Sequence, residues 1–199
     1  MIITIANLKG GTAKTTTAIY LAMCAWEDDR SPVIVDADSE PSALAWATPG
    51  RLPYPVIAGE GDGLVVQVKD LSAQGHTVII DGPPNARDVL WAAATAADLV
   101  LVPIKPTGVD VNRLRSTLKV LLNIEASRPE GLLTRILFTM YVRNSVLMRE
   151  ALEILAKFPT LDARVRNLQR YARGFGTAPT YLNEYRQVWR EVRGVVGRA

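Results

Sequence analysis

Apolar residues in this chain fall in short unbroken runs. Met1–Ala6, Val33-Ile34-Val35, Val78-Ile79-Ile80 and Leu99-Val100-Leu101-Val102 are each the length of a strand and rich in branched side chains. Such runs read as strands buried on both faces. Between them lie longer segments that read as helices, at about 15–27, 63–74, 86–97 and 109–127. A strand over 132–140 and a helix over 145–157 follow, and the last helix spans about 180–195. A short helix holds Leu44 and Trp46. The Pro- and Gly-bearing span 48–62 reads as loop, with room for a strand at Val56-Ile57, and Pro103 is expected to close the Leu99 strand. After Phe158-Pro159 an arginine-rich stretch reads as irregular. Strands alternating with helices predict an α/β fold: one doubly wound, mostly parallel sheet covered by helices on both faces, with residues 1–199 as a single domain.

Ligands of such sheets bind at the carboxyl ends of the strands, and three strand ends carry chemistry. The first runs into Lys9-Gly10-Gly11-Thr12-Ala13-Lys14-Thr15-Thr16. A glycine turn between strand and helix gathers free backbone N–H groups and the positive end of a helix dipole around one point, which suits a phosphate. Lys14 adds charge for the outer phosphates, and the Thr15 hydroxyl is a ligand for Mg²⁺. The usual phosphate-loop pattern has Gly where this chain has Leu8 and Ala13. Asp81 ends the strand Val78-Ile79-Ile80, the place for a carboxylate that holds Mg²⁺ through a water. Asp36 ends Val33-Ile34-Val35, with Asp38 two residues on.

The Lys-Gly-Gly-x-x-Lys-Thr-Thr order, with Lys9 ahead of the glycines, resembles the deviant Walker A loop of the ParA/MinD group of P-loop ATPases. Val35-Asp36-Ala37-Asp38-Ser39-Glu40-Pro41, Val78–Pro84 and Ala97–Pro103 resemble that family's later motifs. The resemblance implies ATP and Mg²⁺ as cofactors and a weak, partner-stimulated ATPase. It implies that Lys9 reaches across an ATP-bound homodimer to the partner's nucleotide, that Asp36 orients the attacking water, and that Asp38 supports the metal. Lys9, Lys14 and Asp36 are then the catalytic set, residues 9–16 with Met140 bind nucleotide, and Thr15, Asp81 and Asp38 serve the metal. Met140 is included because Thr139-Met140-Tyr141 resembles the strand end beside the adenine.

Charge adds a second theme. The net charge of +3 divides into −4 over residues 1–127 and +7 over residues 128–199, and 12 of the 13 late basic residues are arginine. A basic face on an otherwise acidic molecule suits a polyanion. Arg164, Arg166, Arg170 and Arg173 are the candidate DNA contacts, extended by Arg186, Arg190 and Arg193 in the last helix. With the resemblance, these predict sequence-independent DNA binding and a ParB-like or small adaptor partner, in the partition of plasmid or chromosomal cargo. The chain opens on its first strand, so no N-terminal DNA-binding domain and no secretory leader are expected. The lone Cys24 allows no internal disulfide, and a cytoplasmic, nucleoid-associated location is expected. The rival is a MinD-like membrane-associated ATPase. Its support is the stripe Tyr181, Leu182, Tyr185, Val188, Trp189, Val192, Val195 and Val196 at spacings of three and four.

Overall fold

The computed structural model describes residues 1–198. Six strands form one sheet, and every pairing is parallel: β1 (Ile2–Ile5), β2 (Pro32–Asp36), β3 (Val56–Ala58), β4 (Thr77–Asp81), β5 (Leu99–Ile104) and β6 (Leu133–Phe138). Their order is β3-β2-β4-β1-β5-β6. Parallel neighbours need crossovers, supplied by α1 (Lys14–Glu27), α2 (Ser42–Ala47), α3 (Leu64–Ala73), α4 (Arg87–Ala96) and α5 (Gly108–Ser127). After β6 come α6 (Val146–Ile154), α7 (Gln169–Arg173) and α8 (Asn183–Val196).

The period-two alternation of strand side chains divides the core. Ile3, Ile5, Ile34, Ile79, Leu99 and Leu101 pack against α1, α2, α7 and α8. Their neighbours Ile2, Val35, Val78 and Ile80 point the other way, towards α3 and α4. Val100, Val102, Ile104, Ile136 and Phe138 meet α4, α5 and α6. The doubly wound sheet expected from the apolar runs is therefore present, and it is parallel throughout.

Two details depart from the sequence reading. Strand β5 continues through Pro103 to Ile104. The Pro103 carbonyl accepts from the Asn7 amide at 2.9 Å, on the side where β1 has already left the sheet, so the missing N–H breaks no ladder bond. The arginine-rich stretch is also more ordered than expected. Residues 159–166 run along the free edge of β6, with bridges Ile136↔Thr160 and Tyr141↔Arg166, and α7 follows.

The stripe on the last helix is core. Tyr185, Val188, Trp189 and Val192 are buried against α1, and the Tyr185 and Thr17 hydroxyls meet at 3.2 Å. Burial of each of the two valines contributes about 1.5–3 kcal/mol. The feature that supported a membrane-facing helix is thus used inside the fold. Among the described residues no helix is long and apolar enough to cross a membrane.

Candidate nucleotide site

The parallel register brings three predicted strand ends together. Ile5 of β1 is level with Asp81 of β4, and Asp81 is level with Asp36 of β2. The loop 9–16 rises from β1 beside both acids. Its turn depends on left-handed backbone at Gly11 (φ 71°) and Ala13 (φ 66°). Ala13 occupies the place where the usual pattern has Gly, at a cost of about 1–2 kcal/mol for its Cβ. No side chain caps α1 at its amino end, so its first-turn N–H groups are left for a ligand.

Side chains outside the motif brace the loop. The Asn7 Oδ1 accepts from the Lys9 N–H at 2.9 Å and from the Thr117 hydroxyl at 3.2 Å. The Thr139 hydroxyl donates to the Thr12 carbonyl at 3.0 Å. Sequence reasoning missed Asn7 and Thr117, because neither motif nor spacing marks a residue whose partner lies about a hundred positions away. It also missed Lys105, whose Nζ would sit 3.9 Å from a Cβ built at Gly11.

Lys14 is buried, and desolvation holds its pKa below the ordinary lysine value against the opposing charges of Asp81 and Asp38. Its Nζ lies 3.4 Å from the Lys9 carbonyl. Asp81 is buried as well, and its Oδ1 has no hydrogen-bond partner. Burial pushes its pKa up to about 7, resisted first by the Thr15 hydroxyl, while Asp36 raises it further and Lys14 opposes. A buried carboxylate oxygen without a partner costs free energy that a cation would offset. An acid beside a threonine hydroxyl is oxygen chemistry, which suits Mg²⁺ with most of its shell left to water and phosphate. Among the described residues no cluster of three or more His, Cys, Asp or Glu forms a closed metal cage.

Asp36 and Asp38 differ in their surroundings. Asp36 is buried, and its Oδ2 accepts from the amides of Ala43 and Leu44 at 2.9 and 3.0 Å, clasping the start of α2. Its Oδ1 accepts from the Asp38 amide at 3.2 Å. Desolvation nevertheless raises its pKa. Asp38 is half-buried and accepts one amide, from Glu40 at 3.0 Å. The Asp38 charge, like that of Asp81, acts on Lys14.

Lys9 turns away from Lys14 and forms an ion pair with Asp110, near the start of α5, which the Thr107 hydroxyl also engages. Met140, in left-handed backbone at φ 52°, lines a cavity of about 90 Å³ with Ala13, Thr16, Asn167, Leu168 and Tyr171. The strand-end segment that carries Met140 therefore lies beside the start of α1, together with an asparagine, Asn167, that the sequence reading did not find.

The candidate DNA arginines are not equivalent. Arg166 pairs with Glu184 and approaches the Tyr181 hydroxyl at 3.2 Å, while Arg170 lies 4.0 Å over the Tyr181 ring. Arg186 pairs with Glu27 at 2.7 Å and Arg193 with Asp28 at 2.6 Å. These two arginines, expected to extend the basic patch, thus have their charges answered at the end of α1 in the single chain. Arg173 is exposed, and the Arg164 Nε is buried without a partner.

The family model for the CobQ/CobB/MinD/ParA nucleotide binding domain matches residues 3–175. The chain belongs to this family. Protein ParA of Rhizobium radiobacter is 27% identical over 142 residues, covering 70% of this chain and 64% of that protein. Maintenance of carboxysome distribution protein A of Gloeobacter kilaueensis is 30% identical over 142 residues, covering 69% and 62%. The match thus spans less than two thirds of either relative. Cobyrinic acid a,c-diamide synthase from Mycobacterium smegmatis, solved with an ATP analogue and magnesium, superposes with a TM-score of 0.77 at 19% identity, over 100% of this chain and 96% of that one. That likeness shows a shared fold.

Proposed function

We propose that this chain is a Mg²⁺-dependent ATPase that dimerises on ATP, binds DNA without sequence preference, and positions plasmid or chromosomal cargo with a ParB-like or small adaptor partner. The carrying observation is the buried Lys14 in the loop, on which the charges of Asp81 and Asp38 act, together with an unpartnered oxygen on the buried Asp81. Family membership and the ParA relative support the same reading.

In this reading the amides of Gly10 to Thr16 and the Lys14 ammonium hold the phosphates, and Thr15 and Asp81 hold Mg²⁺. The metal, when bound, neutralises phosphate charge. The segment at Met140 and Asn167 borders the base. Asp36 fixes the loop between β2 and α2 through its three amides. Asp38, less tied and closer in charge to Lys14, is the better carboxylate for orienting water. Both acids therefore serve hydrolysis, one as a positioning residue. Nucleoside triphosphate hydrolysis depends on such positioning more than on covalent chemistry. Turnover is slow until a partner acts.

For DNA, Arg164 and Arg173 are favoured over Arg166 and Arg170, whose guanidinium groups already have partners. Phosphate contacts give affinity that falls with salt and ignores sequence. The test is the ATPase rate with and without duplex DNA, beside DNA mobility shifts with ATP at two salt concentrations. ATP-dependent, salt-sensitive binding to unrelated duplexes is expected. ATP turnover with no ATP-dependent DNA binding would remove the partition reading and leave the ATPase.

A further inference from the structure

The segment 159–166 lies outside β6, and part of its outer edge is open. Its bonds to β6 use alternate residues. The Leu161 and Val165 amides donate to the Ile136 and Phe138 carbonyls, and the Pro159 and Val165 carbonyls accept from Ile136 and Tyr141. The residues between them turn their backbone outward. At Asp162 the outer edge is closed by α8, where the Glu191 carboxylate accepts from the Asp162 and Ala163 amides at 2.8 and 2.9 Å. At Arg164 and Arg166 it is open: among the described residues neither their N–H nor their C=O groups have a partner.

A hollow of about 460 Å³ lies at this open stretch, where Arg143, Arg164 and Arg166 meet Asn183, Glu184 and Gln187. It shares Asp162 and Gln187 with a second hollow, of about 790 Å³, that carries Arg135 and Arg190. Of these five arginines only Arg166 has a carboxylate partner among the described residues, Glu184. The Tyr171 hydroxyl also holds Glu184, and Glu191 is engaged by its two amides. Asp162 is left as the one acid lining either hollow whose carboxylate has no partner among the described residues. The Arg164 Nε is buried without a partner.

An open strand edge offers donors and acceptors in turn. Another extended backbone matches both, whereas phosphate oxygens match the donors only. Guanidinium forks beside that edge match carboxylates. We propose that this groove docks an extended, acidic segment of a partner protein, which pairs with the backbone at Arg164 and Arg166 and sets its carboxylates on Arg143 and Arg164. A second copy's edge carries the same arginines and is repelled, so the groove selects a foreign strand over its own kind. Glu191 closes the edge on one side and α7 begins at Gln169 on the other, so the paired stretch is short and the arginines supply much of the affinity. The proposal goes beyond the reading above and requires neither ATP nor a dimer. It claims Arg164 from the DNA contacts and leaves Arg173, which lines neither hollow.

A capped, fluorescent peptide of alternating Glu and Thr is the probe, and anisotropy reads its binding. The native chain should bind it, and Arg143→Ala and Arg164→Ala should each weaken binding roughly tenfold. Arg143 is exposed in a turn, so its variant reports on the groove even if Arg164→Ala disturbs the fold. Hydrogen exchange at the Arg164 and Arg166 amides should slow at least about tenfold in the bound state. The same peptide N-methylated at every amide keeps its charge but offers no N–H, and should bind at least about tenfold more weakly. No binding of the probe up to about 1 mM, or binding indifferent to both arginines, would overturn the groove. Unprotected Arg164 and Arg166 amides, or equal binding of the N-methylated peptide, would overturn the strand pairing. If duplex DNA loses affinity in Arg143→Ala while the peptide does not, the arginines serve phosphate and the proposal fails.

Discussion

The loop at residues 9–16 and the arginine-rich segment at 159–198 both looked like places for phosphate, yet they treat charge in opposite ways. At the loop, Lys14 and Asp81 are buried with fewer partners than their charges call for, and an Asp81 oxygen has none. In the late segment four of the eight arginines already have partners: Arg166 in Glu184, Arg186 in Glu27, Arg193 in Asp28, and Arg170 in an aromatic face. Buried, incompletely satisfied charge points to a missing ligand. A high count of arginine points there only where the arginines stay unpaired.

The largest expected effect lies on the satisfied side. Val188→Asp puts a carboxylate between α8 and α1 and should cost more than about 3 kcal/mol, read as loss of the cooperative thermal transition. A variant that keeps native stability but leaves liposomes would restore the membrane-facing helix.

The next effect separates the two acids after β2. Asp36→Ala removes the clasp on α2 and should lower stability by about 1–3 kcal/mol by chemical denaturation. Asp38→Ala should stay within about 0.5 kcal/mol of the parent, bind ATP, and hydrolyse it poorly. The reverse pattern, with Asp36→Ala stable and inactive, would return the water-orienting role to Asp36 alone.

Asp81 gives a pH dependence of intermediate size. Its pKa lies near 7 in the folded chain and at the ordinary 3.8 when unfolded, so the folded chain holds the extra proton between those values. Stability of the nucleotide-free protein therefore falls as pH rises from about 4 to about 7 on account of this group. Asp81→Asn should match the parent near pH 4 and melt at a higher temperature by pH 7.5. Parallel melting curves across that range would mean that the carboxylate is not desolvated as described.

The smallest effects concern DNA. Arg173→Ala should reduce the slope of log affinity against log salt by about 0.9, whereas Arg166→Ala should leave it unchanged. Equal effects of the two would show that the Glu184 pair opens on DNA.

What the sequence made legible was local. Strand ends at Lys9, Asp36 and Asp81 follow from apolar runs that stop in polar residues, and parallel pairing then sets them side by side. What stayed hidden depended on distant partners. Asn7 and Thr117 meet across about 110 residues, Lys9 finds Asp110, and the last helix finds Asp28 and Glu27. Those partners decide which charges are free, so the grouping of the loop with Asp36 and Asp81 was legible from spacing while the pairing of the arginines was not. The short α7 escaped because five residues carry too little periodicity. Pro103 misled because its tolerance depends on β1 having already ended beside it.

The most direct measurement is a calorimetric titration of the chain with Mg-ATP, repeated on Lys14→Ala. One site per chain is predicted, weakened at least about a hundredfold in the variant by loss of a buried charge contact. No binding by the native chain, or equal affinity in both, would contradict the assignment of the loop to a nucleotide.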